Sequence, residues 1–331
     1  MEVVRNEKIL ITGPAGQIAF PLAASLAHDN EVWGIARFSE EGSRERCDTA
    51  GITTRTVDLA AGNYDDVPDD FSYVLHLAAY LGNKPDYDTA LTINAEGTGL
   101  LMQHCRKAKA VLVMSTGSVF KPHDDPWHPY LENDPMGDGS LPAVPTYSIS
   151  KIAQEAVART MSRALALPLV IARMNVGYGR NGGLPAFHLD QIVAGRSINV
   201  RWDPSPYSPI HEDDIYAQTE ALLDAASVPG TIVHWGGDEP VSIQQWCEHF
   251  GELTARIPGL VVAPVAGTHK GVVLDHARRR AITGPCTVGW REGMTRMYHG
   301  RYPNGLDAGP VNARSANAMQ ADECGPEIEP T

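Results

Sequence analysis

Near its start the chain runs Lys8-Ile9-Leu10-Ile11-Thr12, an apolar strand-type segment, then Gly13-Pro14-Ala15-Gly16-Gln17-Ile18-Ala19, then apolar residues at helical spacing through Leu26. Strand, glycine turn and helix in immediate succession feed a parallel partner strand, which commits the chain to an α/β sheet rather than a sandwich or a helical bundle. In the turn, Gly13 permits the tight bend, Gly16 lets the backbone approach a diphosphate, and small Ala19 lets the helix pack on the strand. Gln17 and Ile18 stand where the first helical amides face an anion.

The next strand ends in Ala36-Arg37, where a dinucleotide fold presents a side chain to the adenosine ribose. A carboxylate there accepts from a 2′-hydroxyl, whereas a guanidinium offers donors and charge to a 2′-phosphate. The expected cofactor is therefore NADP(H), with NAD(H) possible. Strand and helix signals then alternate: strands at 51–57, 73–79 and 110–114, and a helix over 87–108, so the sheet is parallel and covered on both faces. Asp58 ends the third strand, at an adenine edge or in a plain turn. Ala78 and Ala79, after Leu77, are small enough for a cofactor to lie over the strand end, and His76 inside its apolar run is read as a hydrogen-bonded core histidine.

Chemistry enters with Tyr147 and Lys151, four residues apart at the start of a helix and so on one face. An ammonium beside the phenol stabilises the phenolate and makes the tyrosine an acid/base for a carbonyl or an alcohol. Upstream, Ser115-Thr116-Gly117-Ser118 places hydroxyls at the carboxyl end of a strand, where open α/β sheets bind ligands. One of them is expected to bind the oxygen that Tyr147 protonates.

Composition narrows the partners. A formal charge of -13 leaves no basic surface for nucleic acid or anionic lipid. No apolar run reaches membrane length, and the first residues lack a long apolar core, so a cytoplasmic protein with no membrane partner is expected. Five scattered cysteines without a C-x-x-C suggest reduced thiols and no metal site.

With Gly13-x-x-Gly16-x-x-Ala19, His76-Leu77-Ala78-Ala79, Asn94-Ala95-Glu96-Gly97-Thr98, Ser115-Thr116, Tyr147-x-x-x-Lys151 and Arg173-x-Asn175 in this order, the chain resembles the extended short-chain dehydrogenases/reductases. These include sugar-nucleotide epimerases, dehydratases and NADP reductases. The resemblance implies a Rossmann-type doubly wound sheet at 7–174, rejoined at 211–236. A smaller substrate lobe would come from 175–210 and 237–304, and a flexible tail would run over 305–331. It implies that Tyr147 is the acid/base, that Lys151 lowers its pKa and holds the nicotinamide ribose, and that Thr116 is the catalytic hydroxyl. Asn94 would maintain a water or backbone link near the site, and Asn175, counted among the cofactor contacts, would begin the turn into the substrate lobe. It also implies a homodimer through the helix over 87–108 and the helix carrying Tyr147.

Two departures bear on substrate. Dehydratases of this family follow the catalytic threonine with Asp-Glu, and here Gly117-Ser118 stand instead. The arginine that clamps a pyrophosphate before the segment Ser208-Pro209-Ile210-His211 is replaced by Tyr207. Arg201, six residues earlier, is the remaining candidate clamp, and Ser118, Trp202 and Tyr207 are candidate substrate contacts, with core packing an equal alternative for both aromatics. His211-Glu212-Asp213-Asp214 is read as a helix start, not a metal site. The expectation is an NADP-dependent oxidoreductase interconverting a carbonyl and a secondary alcohol on a small, non-nucleotide substrate. The first alternative is a sugar or sugar-nucleotide epimerase, and the second a non-catalytic NADP-binding sensor, which would be expected to have lost Tyr147 or Lys151.

Overall fold

The structure is a computed structural model that describes residues 4–311 apart from 138 and 140. Seven parallel strands form the central sheet: β1 (Lys8–Thr12), β2 (Glu31–Ala36), β3 (Thr53–Thr56), β4 (Tyr73–His76), β5 (Ala110–Thr116), β6 (Leu169–Met174) and β7 (Thr231–Trp235). Their spatial order is β7-β6-β5-β4-β1-β2-β3. Strand order reverses between β1 and β4, and at that switch point a crevice opens beyond the carboxyl ends.

Helices cover both faces because the central strands carry mostly apolar side chains to each face, with polar ones gathered at their carboxyl ends. Ile9, Ile11, Leu75, Leu112 and Val170 pack one face with Leu22 and Ala23 of α1 (Ala19–Leu26). On the other face Leu10, Val74, Val111 and Ile171 meet Leu101 and Met102 of α4 (Gly97–His104) and Ala158 of α5 (Tyr147–Leu165). The helix expected over 87–108 is shorter and interrupted: α3 (Tyr87–Leu91) passes into a π-helical turn, Thr92–Glu96, before α4. Such turns re-aim side chains near functional sites. Helix α2 (Ser43–Thr49) links β2 to β3.

The smaller lobe is built on α6 (Leu184–Val193), α8 (Ile243–Thr254) and α10 (Trp290–Arg301), whose apolar faces bury Leu189, Trp246, Phe250 and Met294 together. Ser242 caps α8 in a reciprocal capping box with Gln245, which fixes its start two residues later than the pattern suggests. Between them α7 (Glu212–Asp224) rejoins the sheet, and α9 (Ala277–Thr283) is a helix that sequence periodicity did not reveal. His211 caps α7, its Nδ1 accepting from the Asp213 amide at 3.2 Å, in line with the helix-start reading. Of the tail, the part from 312 onward lies outside the described residues. Its beginning is folded: Val311 N–H donates to the Arg301 carbonyl at 2.7 Å.

Candidate active site

A cleft of about 950 Å³ runs along the carboxyl ends of β1, β2, β4, β5 and β6 and under the smaller lobe. Its cofactor half is shaped by backbone. Gly13 has φ +64°, and a Cβ there would lie 3.3 Å from Ala78, while one on Gly16 would lie 2.9 Å from the Gly13 carbonyl. The turn thus leaves open the space a diphosphate needs beside Gln17 and Ile18. Leu77, Ala78, Ala79 and Asp58 line the same half, Asp58 also accepting the Ala60 amide at 3.0 Å in a turn. Arg37 stands exposed at the far end, with no ion pair among the described residues. These groups fit a dinucleotide.

Thr12 joins β1 to β4 below this half. Its hydroxyl oxygen accepts the Leu77 and Ala78 amides at 3.0 and 2.9 Å, so its proton goes to His76 Nδ1 at 2.9 Å. His76 is then the Nε2–H tautomer and donates to Thr98 Oγ1 at 2.7 Å, with Gln154 of α5 donating to the same oxygen at 2.9 Å. Burial lowers the His76 pKa to about 3, followed in effect by the Lys151 charge, so it stays neutral. His76 is the core residue its apolar setting implies. Neither Thr98 nor Gln154 carries a sequence signal that would have joined it to Thr12.

Tyr147, the first residue of α5, lines the same cleft as Thr116 and Ser118, which come from β5 and the turn after it. Thr116 Oγ1 accepts the Ser118 amide at 3.2 Å and lies 3.1 Å from the Ser118 hydroxyl, which holds both oxygens at the rim. Lys151 lies below the cleft floor. Its Nζ donates to the Met114 carbonyl at 2.7 Å and sits 5.9 Å from the centre of the Tyr147 ring. Burial brings its pKa down to about 7, with the Glu155 carboxylate opposing the fall. Asn94, on the π turn, is also buried away from the cleft: it accepts the Tyr80 amide at 2.7 Å and donates to the Tyr80 carbonyl at 3.1 Å and to Ser150 Oγ at 2.9 Å. Ser150 in turn donates to the Tyr147 carbonyl at 2.9 Å, so Asn94 steadies the first turn of α5 through backbone.

The substrate half gathers distant residues. Asn175 donates to the Val272 carbonyl at 2.7 Å and accepts the Ser208 amide at 2.9 Å, tying the turn after β6 to two later segments. Arg201 and Tyr207 line this half, and Trp202 does not. The Trp202 indole instead donates to Thr268 Oγ1 at 2.8 Å with Lys270 over its ring, so that candidate contact is a packing residue of the lobe. Residues not singled out by sequence also line it. His269 is buried, its Nε2–H donating to the Phe120 carbonyl at 2.8 Å, and Arg301 pairs with Asp190, which also accepts from the Tyr302 hydroxyl at 2.7 Å. No spacing rule links positions 269 and 301 to Tyr147.

A family model described as the NAD dependent epimerase/dehydratase family matches residues 9–199. The chain belongs to this family. Among solved structures, it resembles the UDP-glucuronic acid 4-epimerase of Bacillus cereus at 21% identity and TM-score 0.77, over 88% of this chain and 98% of that one. The UDP-glucose 4-epimerases of Thermus thermophilus (22%, TM-score 0.75, 89% and 99% covered) and Thermotoga maritima (18%, 0.76, 88% and 98%) are similar in the same way. No curated protein matches the chain in sequence. Identities this low establish the Rossmann-type fold, and family membership adds a nicotinamide dinucleotide as the kind of cofactor. The expectation of a dehydrogenase/reductase gives way at this level to the broader statement that the chain is an epimerase/dehydratase-family enzyme.

Proposed function

We propose that the protein is an epimerase that oxidises and re-reduces one secondary-alcohol carbon of a sugar nucleotide or a similarly anionic sugar. The observation that carries this reading is the position of Arg201 on the wall of the cleft that also holds Tyr147 and Tyr207, the residue that departs from the family pattern. A diphosphate entering a cleft without such a cation would lose several kcal/mol. The substrate classes of the structural neighbours point the same way.

In this reading Thr116 and Ser118 bind the reacting oxygen, and Tyr147 removes its proton and later returns it. The bound nicotinamide supplies the hydride acceptor and donor. Lys151, when protonated, stabilises the Tyr147 phenolate, and its burial weakens its own hold on that proton. Asn94 and Ser150 hold the helix turn that aims the phenol.

Arg37 favours a second reading, net NADP-dependent oxidation or reduction, because a 2′-phosphate acceptor suits a cofactor that leaves after each turnover. We infer NADP(H) preference from it, with NAD(H) accepted. The two readings separate on incubation with UDP-glucose and UDP-glucuronic acid: a new epimer without net change in nicotinamide absorbance supports the epimerase, and stoichiometric change supports the oxidoreductase. Failure of UDP to bind, or binding indifferent to Arg201→Ala, would sink the sugar-nucleotide assignment. A homodimer is proposed through α3, α4 and α5, on which Tyr87, Leu100 and Ile149 remain 41%, 43% and 48% exposed. Light scattering at micromolar protein checks it, a monomer mass counting against it.

A further inference from the structure

Beneath Tyr147 lies a buried polar cluster that the proton-transfer scheme does not use. Glu155, one turn beyond Lys151 on α5, is 3% exposed and receives three charge-assisted or hydroxyl donors. Arg173 of β6 donates through Nε to Oε1 at 2.9 Å and through Nη2 to Oε2 at 2.8 Å, the bidentate geometry that fixes a carboxylate in plane. Ser115 of β5 donates to Oε1 at 2.6 Å. Ser115 and Arg173 are direct neighbours in the sheet register, and Ser115 sits between Met114, whose carbonyl holds Lys151, and Thr116. Arg173 also donates to the Glu132 carbonyl at 2.8 Å, reaching the loop beyond β5.

We propose that Ser115, Glu155 and Arg173 form a positioning unit for the active site, locking the carboxyl end of β5 to α5 and holding a fixed carboxylate one helical turn from the Lys151 ammonium. The mechanical part follows from connectivity. Thr116 is carried by β5 and Tyr147 by α5, and this cluster joins the two elements by side chains at the level of the site, along with the Lys151–Met114 bond. The electrostatic part follows from burial. Lys151 is withdrawn from water, which alone would drive off its proton, and Glu155 is the charge that opposes this. Among the described residues, the other titratable or charged groups around Lys151 are Tyr147 on its own helix, His76 of β4, which stays neutral, and Arg173 of β6, whose charge is taken up by Glu155.

The inference rests on Lys151 serving Tyr147 as proposed above, and its test needs no substrate. Protein labelled with ¹³C-lysine would be titrated from about pH 5 to 10, the Lys151 ¹³Cε resonance being assigned by its loss in Lys151→Met. The wild-type midpoint is expected near 7. Glu155→Gln leaves Arg173 uncompensated and should lower the midpoint by about one unit or more, whereas Arg173→Met leaves the carboxylate uncompensated and should raise it by a similar amount. Single removal of one buried partner is costly to folding, so Glu155→Gln/Arg173→Met, which removes both charges, provides a variant whose midpoint should also fall. Unchanged midpoints in Glu155→Gln and in the double variant, with only the melting temperature reduced, would overturn the electrostatic role and leave the cluster as a structural tie. An unaltered Lys151 midpoint says nothing about sugar nucleotides, and failure of UDP binding leaves these midpoints untouched, so the two ideas fall separately.

Discussion

The cofactor half of the cleft draws its glycine turn, its β2 end and its β4 end from residues 8–81, contiguous in the chain and running from β1 through α1, β2, α2 and β3 to β4. The substrate half takes Asn175, Arg201, Tyr207, His269 and Arg301 from segments spread over more than a hundred residues, joined through hydrogen bonds such as Asn175 to the Val272 carbonyl. A binding site formed by backbone in one local unit leaves a spacing in the sequence. One assembled from separate segments leaves none, because tertiary packing sets its distances. Between the two halves the catalytic residues are intermediate: Tyr147 and Lys151 are fixed by one helical turn, while Thr116 is brought to them only by the sheet.

Changes at the junction should have the largest effect. Tyr147→Phe should reduce turnover by at least ~10², with cofactor affinity retained, since the general acid/base is lost and the local cofactor unit is not. Single-turnover rates together with NADPH fluorescence titration measure both, and an active, folded Tyr147→Phe protein would break the assignment.

Lys151 tests whether the junction is built for function at the expense of stability. Its folded pKa, about 7, lies below the ordinary lysine value of 10.5, so the unfolded chain binds this proton more tightly. The resulting cost is full below about pH 7 and is relieved as pH rises toward 10.5. Lys151→Met, which buries no charge, should therefore be more stable than the wild type by on the order of a few kcal/mol below pH 7, with the gap closing at higher pH, while turnover is lost. Thermal melts of cofactor-free protein across that range decide it; a gap that widens with pH contradicts the sign.

A smaller effect is expected from each half separately. Arg37→Ala should weaken NADPH binding by roughly 10- to 100-fold and leave NADH binding nearly unchanged, from the loss of about 1.5–3 kcal/mol of charge-assisted contact. Equal wild-type affinities for the two cofactors in titration calorimetry would remove the 2′-phosphate role. Arg201→Ala should weaken UDP binding by roughly tenfold without altering NADPH affinity, because Arg201 lines the cleft near His269, far in sequence from the glycine turn. If both ligands weakened together, the two halves would not be independent and the comparison would fail.

Much of this architecture is legible in the sequence. Strand, glycine turn and helix at 8–26 demand a parallel sheet because the apolar run leads straight into a helix, and Gly13 takes the left-handed backbone that its place in the turn suggested. Tyr147 and Lys151 share a helix face by arithmetic. Local chemistry failed where packing overrides it: the pattern over 87–108 reads as one uniform helix, yet a π turn inside it aims Asn94 at the Tyr80 backbone. Trp202 is adjacent to Arg201 in sequence but turns to Thr268, since neighbouring side chains off a short strand end need not share a surface. The Thr12–His76–Thr98 chain and the Glu155–Arg173 pair were decided only by the tertiary structure. Each joins residues that no helical or strand period relates, and each exists because a buried polar group must find its partner among whatever the sheet order brings alongside.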